Sequence, residues 1–333
     1  MRRTFLFLVM TGFAVGAEGY HVINKIKIGG TGGWDYVAVD SGAHRLYATH
    51  GTEVDVIDVD AGKQVGTIPQ LHGVHGVALA PELGKGFISN GQSNSVTIFD
   101  LKTLAKSGEP ATGMNPDSIC YEPKTQRVFT FNGRSSDSTV INAKSGEVIT
   151  TFPVGGKPEF CVADGSGKLY VNLEDKSSII EVDAAKASVL RTVSIAPCEE
   201  PSGLALDSKD GVLFSVCDNK MMAVTEIKSL KVAATPAIGA GPDAAAYDAG
   251  AGLAFSSNGE GTLTIVKNTG GTWTAVDTVQ TERGARTMAV DPRMHRLYLL
   301  AAEYGAPAAA KSGEKKGRPT ILPDTFHVLV VGK

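Results

Sequence analysis

Seven residues recur at one register of this chain and carry most of the chemistry its sequence offers: Asp35, His75, Asp117, Glu159, Ser202, Asp243 and Arg286. Six of the seven are ionisable, while the positions just beyond them are almost all apolar. Four carboxylates, an imidazole and a guanidinium crowded on one rim would perturb one another's pKa values. Such a ring could bind a ligand or a cation; the same residues could also be solvated strand starts. His50, His72 and His75 fall near two entrances of the same kind. With Asp35 or Glu303 they could ligate a divalent metal, although no fixed spacing marks a metal motif. Asn90, Asn132, Asn172, Glu174, Asp218, Asn219 and Asn258 occupy loops expected on the same face. Asparagine at such positions more often satisfies tight-turn geometry than it contacts a ligand. Trp34, just before Asp35, would stand at the rim as a stacking platform for a sugar or aromatic ligand, or fill the gap between repeats.

The four cysteines show no CxxC or Cys/His zinc spacing. Cys198 and Cys217 should share a face and form a disulfide. Cys120 and Cys161 fall at adjacent registers of successive inner strands, should point to opposite faces, and are expected as buried free thiols. No Ser-His-Asp order, HExxH, phosphate loop or nucleotide fingerprint occurs. Gly29–Gly33 is glycine-rich, but no helix follows it to hold a phosphate.

The elements that must position these residues come from a repeat. A short apolar strand, a turn and a second strand centred on an aromatic recur from VAVDSGAHRLYAT at 37–49 to MAVDPRMHRLYLL at 288–300. The anchors Tyr47, Phe87, Phe129, Tyr170, Phe214, Phe255 and Tyr298 are spaced by 40, 42, 41, 44, 41 and 43 residues. A polar turn, a third strand such as VDVIDVD and a fourth such as KQVGTIP complete each unit. Four short strands per forty-odd residues, repeated radially, predict an all-β seven-bladed β-propeller with four antiparallel strands per blade. The seventh unit lacks a fourth strand, and His21–Ile28 (HVINKIKI) has nothing to pair with. The N-terminal strand should therefore complete the last blade and close the ring. An interruption at 303–324 exceeds any hairpin loop. It is expected to be flexible over about 305–323, on the channel-mouth face where a lid could form, with a basic cluster of Lys311, Lys315, Lys316 and Arg318.

Arg2 and Arg3 before an apolar stretch and Val15-Gly16-Ala17 read as a signal peptide over 1–17, cleaved after about Ala17. That leaves one propeller domain over 18–333 and predicts a periplasmic or secreted protein with no membrane span. A formal net charge of −3 gives no overall attraction to nucleic acid, so nucleic-acid partners are not expected.

Gly113-Met114-Asn115-Pro116-Asp117, Gly155–Glu159 (GGKPE) and Gly241-Pro242-Asp243 carry a G-x-x-P-type turn, and Tyr170-Val171-Asn172, Phe87–Asn90 and Phe255–Asn258 a Y-V-x-N-type strand. In these motifs the chain resembles the bacterial YVTN/YncE-type seven-bladed propellers over essentially its whole mature length. The resemblance implies the fold and leaves function open, because that scaffold hosts various roles. The residues favour a monomeric, non-catalytic exported propeller that binds a small molecule or protein at the mouth of its central channel. Two alternatives stand beside it: a propeller enzyme of the lactonase or metal-dependent hydrolase type, and a protein–protein interaction scaffold.

Overall fold

The computed structural model describes residues 19–306 and 319–333. The expected leader over 1–17 and the four basic residues of the insertion lie outside the described residues. Among the described residues, twenty-eight strands form seven four-stranded antiparallel sheets. Six sheets use four consecutive strands each. The seventh pairs the N-terminal strand His21–Lys27 with the C-terminal strand His327–Gly332, followed by Arg296–Ala301 and Met288–Asp291. The closure expected from the unpaired N-terminal segment is the one observed. Each end of the chain supplies the edge that the other would leave exposed.

The aromatic of each second strand explains why the repeat keeps it. Tyr47, Phe87, Phe129, Tyr170, Phe214, Phe255 and Tyr298 are at most 1% exposed. They sit in apolar clusters that join neighbouring blades, so one residue type per repeat seals each blade-to-blade contact.

Both cysteine pairs are disulfides. Cys198 and Cys217 are joined, with Cα atoms 5.5 Å apart. Cys120 and Cys161, expected as free thiols, are also joined, with Cα atoms 6.2 Å apart. The correction is geometric. Cys120 lies on the inner strand Pro116–Glu122 of the third blade and Cys161 on Pro158–Ala163 of the fourth. Opposite faces of two successive blades are the faces that look at each other, so side chains pointing opposite ways meet between them.

Candidate functional site

The innermost strands, Trp34–Asp40, Val74–Ala80, Pro116–Glu122, Pro158–Ala163, Pro201–Asp207 and Pro242–Asp248, place the register residue second in each. Arg286 precedes the shorter seventh inner strand. In all six longer strands the pairing with the second strand shifts just after the first residue, between Trp34 and Val37, for example, or Pro242 and Ala244. A bulge at that point turns the following side chain out of the ladder and toward the channel mouth.

Neighbouring blades then fix this backbone. Ser89 Oγ donates to the Asp117 carbonyl at 2.9 Å, Asn172 Nδ2 to the Ser202 carbonyl at 2.9 Å, and Ser202 Oγ to the Pro242 carbonyl at 3.1 Å. Ser257 Oγ donates to the Arg286 carbonyl, and Thr287 Oγ1 to the Asp35 carbonyl at 2.6 Å. The rim is thus stitched from blade to blade, by Ser202 on the rim itself and by side chains beside it.

Beneath the rim, the channel is plugged. Tyr36 and Phe160 meet with ring centroids 4.9 Å apart. They come from the first and fourth blades, which are not neighbours in a ring of seven, so their contact crosses the channel. Burial, then the charges of Asp243, Asp35, Asp117 and Glu159, hold the Tyr36 phenol well above its ordinary pKa. The far end opens into a cavity of 640 Å³ walled mainly by alanine and branched aliphatic side chains such as Val37, Ala78, Ile119 and Ala245. It offers few groups to orient a ligand.

The rim itself divides into two arcs. On the first four blades, His75 Nδ1 lies 2.6 Å from Asp35 Oδ2 and 3.5 Å from Asp117 Oδ1. Burial disfavours the imidazolium, but the hydrogen bond to Asp35 and the charges of Asp117 and Asp35 outweigh it and raise the His75 pKa. Burial, opposed by His75 and reinforced by Asp35, lifts Asp117. Glu159, buried and hydrogen-bonded to Glu174, is pushed up to about 8, while Glu174 is held low by that same bond. Lys157 sits 2.8 Å from Glu159 Oε1 and also pairs with Glu174. Burial opposes its charge, yet these two carboxylates raise its pKa. Next comes a depression of 150 Å³ lined by Glu159, Glu174, Glu200, Asp218 and Asp243.

Asp243 marks the boundary. Burial raises its pKa to about 7 against the opposing charge of Arg286, whose Nε is 3.2 Å away. Beyond that ion pair lies a cavity of 550 Å³ walled by Arg283, Arg286, Trp34 and Tyr304.

The seven register residues therefore share one rim, and Trp34 stands on it, tilted against Tyr304 and Phe326 at centroid distances of 6.3 and 5.7 Å. The three histidines do not share a site. His72 is exposed. His50 is buried, its Nδ1 3.1 Å from Asp55 Oδ2 and its ring 4.2 Å from Phe326. Glu53, Asp55 and His50 form one candidate ligand group, and Asp35, His75 and Asp117 another. The first group reads better as structure. Asn90 donates to Thr97 at 2.9 Å, Asn132 to Thr139 at 3.1 Å and Asn258 to Thr264 at 3.1 Å, each across the second and third strands. His50 and Asp55 take the places of that Asn and Thr in the first blade. Glu303 is exposed and its backbone anchors the insertion through Leu322.

The sequence reading left out Tyr36, Phe160, Lys157, Arg283 and Tyr304. The plug had a signal: at the position after the register residue, only Tyr36 and Phe160 are bulky, beside Gly76, Ser118, Gly203, Ala244 and Thr287.

No family model matches the chain. It is 32% identical over 126 residues, 35% of its length, to Antigen Lp49 of Leptospira interrogans. It is 27% identical over 152 residues, 43% of its length, to an uncharacterised protein named YncE of Salmonella typhi. The matched segments span only 27% and 42% of those relatives' own lengths. The solved structure of U3-55K superposes with a TM-score of 0.72 at 9% identity, over 92% of this chain and 98% of that one, a likeness of fold alone. Seven four-stranded blades make the chain a seven-bladed β-propeller, and over part of its length it is similar to proteins named YncE.

Proposed function

We propose that this chain is an exported, non-catalytic binding propeller whose ligand presents a positively charged group to the acidic arc of the channel mouth. The observation that carries the proposal is the convergence of Asp35, His75, Asp117 and Glu159 on one rim above a plugged channel. Burial and neighbouring carboxylates raise Asp117 and push Glu159 up to about 8, so Glu159 keeps near neutral pH a proton that an isolated carboxyl would release. A ligand cation would take its place. Export is supported by the leader-like start of the chain and by two disulfides, which persist in oxidising compartments. Among the described residues, no helix is long and apolar enough to cross a membrane.

A second reading rests on Asp35, His75 and Asp117, whose ligand atoms lie within 4.8 Å of one another. An imidazole and two carboxylates fit a divalent ion, which would supply Lewis acidity for a hydrolase of the lactonase type. Against it, His75 Nδ1 already shares a proton with Asp35, so a metal would have to displace that proton first.

Thermal unfolding of the exported chain with calcium, manganese, zinc or 1,4-diaminobutane, at pH 6 and pH 9, tests both readings. The binding reading expects a cation-dependent rise in Tm that is larger at pH 9 and is diminished in Asp117→Asn. A stoichiometric metal in the purified protein, together with ester or lactone hydrolysis lost in His75→Gln, would favour the enzyme. No response to any cation at either pH would overturn the proposal.

A further inference from the structure

The cavity beyond the Asp243–Arg286 pair has a chemistry opposite to that of the acidic arc. Its volume of 550 Å³ falls in the range of small-molecule sites. Four of its walls are glycines, Gly33, Gly241, Gly259 and Gly284, which leave backbone and open space where side chains would stand. Gly284 has φ +84°, and a Cβ built on it would lie 2.2 Å from Tyr304 Oη. Only glycine lets Tyr304 lie down against this loop, between the two arginines in sequence. Tyr304 is held in turn by the bridge it forms with Ile321 across the base of the insertion, where Gly305 N donates to the Thr320 carbonyl at 2.8 Å.

The two guanidiniums differ. Arg286 is committed to Asp243, whose charge raises its pKa. Arg283 is exposed and makes no ion pair with any described residue. The cavity therefore presents a planar cation with unspent donors beside the rings of Trp34 and Tyr304. A guanidinium fork matches a carboxylate in two parallel hydrogen bonds, and aromatic faces favour a flat, polarisable body. We propose that this cavity binds a planar organic anion, an aromatic carboxylate, with the carboxylate on Arg283 and the ring packed against Trp34 and Tyr304. The inference concerns the same mouth as the proposed cation site, but does not depend on it.

The test is calorimetric titration of the full exported chain with three probes: 2-naphthoate, its neutral amide, and cyclohexanecarboxylate. Naphthoate should bind, and the amide should bind at least about tenfold more weakly, the loss expected when a charge-assisted hydrogen bond becomes a neutral one. Cyclohexanecarboxylate should also be weaker, because it keeps the charge but not the flat ring. Arg283→Gln, at an exposed site, should cost naphthoate more affinity than it costs the amide. Tyr304→Ala should weaken both aromatic probes. Equal affinity for acid and amide, or naphthoate binding unchanged in Arg283→Gln, would overturn the inference, as would no naphthoate binding at millimolar concentration. If naphthoate fails while the cation response persists, only this inference falls. If the cation response is absent while naphthoate binds, only the earlier proposal falls.

Discussion

The two arcs of the mouth are built from the same repeat yet are held by different forces. The acidic arc, on the first four blades and running into the fifth, has two covalent staples beneath it: Cys120–Cys161 between the third and fourth blades, and Cys198–Cys217 within the fifth. The arginine arc lies beside the seam where the first and last strands of the chain meet. Hydrogen bonds and the tilted ring contacts of Trp34 with Phe326 and Tyr304 hold it there. The difference has a physical logic. Carboxylates packed on one rim repel one another, so the acidic arc gains most from a framework that cannot spread. The arginine arc carries an internal ion pair between Asp243 and Arg286 and needs less restraint.

The seam should be the more fragile of the two. Removing residues 19–28 would leave His327–Gly332 as an open edge and expose the face that Ile26 helps to cover. The expected outcome is aggregation, or a loss of cooperative unfolding in a melt; an unchanged Tm would break the claim that the ring closes there. Reduction should act on the other arc. For loops of 41 and 19 residues, the chain-entropy estimate is roughly 3–4 kcal/mol per disulfide. Intact-mass measurement should show a gain of about 4 Da on full reduction, about 2 Da for each disulfide. Hydrogen exchange in the reduced protein should rise more around Asp117 and Glu159 than around Arg286. A uniform rise would remove the contrast between the arcs.

The pH dependence sharpens the comparison further. Glu159 titrates near 8 and Asp243 near 7 in the folded chain, well above their unfolded values of roughly 4. The folded state therefore holds these protons more tightly. The stability they contribute is fully present below about pH 4 and is lost as pH rises through 7 to 8. Glu159→Gln and Asp243→Asn need no proton to stay neutral, so each should raise Tm at pH 9, by about 1–2 °C per kcal/mol relieved. Neither should raise it at pH 5. An Asp243→Asn variant less stable than the parent at pH 9 would mean that the ion pair to Arg286 outweighs burial.

Much of this was legible in the sequence, and the residues say why. The seven aromatic anchors and the orphan strand His21–Ile28 were readable because a repeat compares the chain with itself. The rim register was readable for the same reason. The Cys120–Cys161 bridge was missed because opposite faces on successive inner strands suggest divergence, whereas in a ring the opposite faces of neighbouring blades look at each other. Lys157 lies one residue outside the inner strand, and its role depends on Glu174 from the next loop. Arg283 and Tyr304 come from the seventh unit, whose insertion departs from the repeat, so no self-alignment could bring them together.

The central claim is that the acidic arc trades protons for a cation. Calorimetric titration with calcium or 1,4-diaminobutane at pH 7.5, in phosphate and in Tris, reads that exchange directly, because the two buffers take up a released proton with different heats. The expected result is an enthalpy that depends on the buffer, corresponding to net proton release, and that loses this dependence in Glu159→Gln combined with Asp243→Asn. Binding heats identical in the two buffers would contradict it.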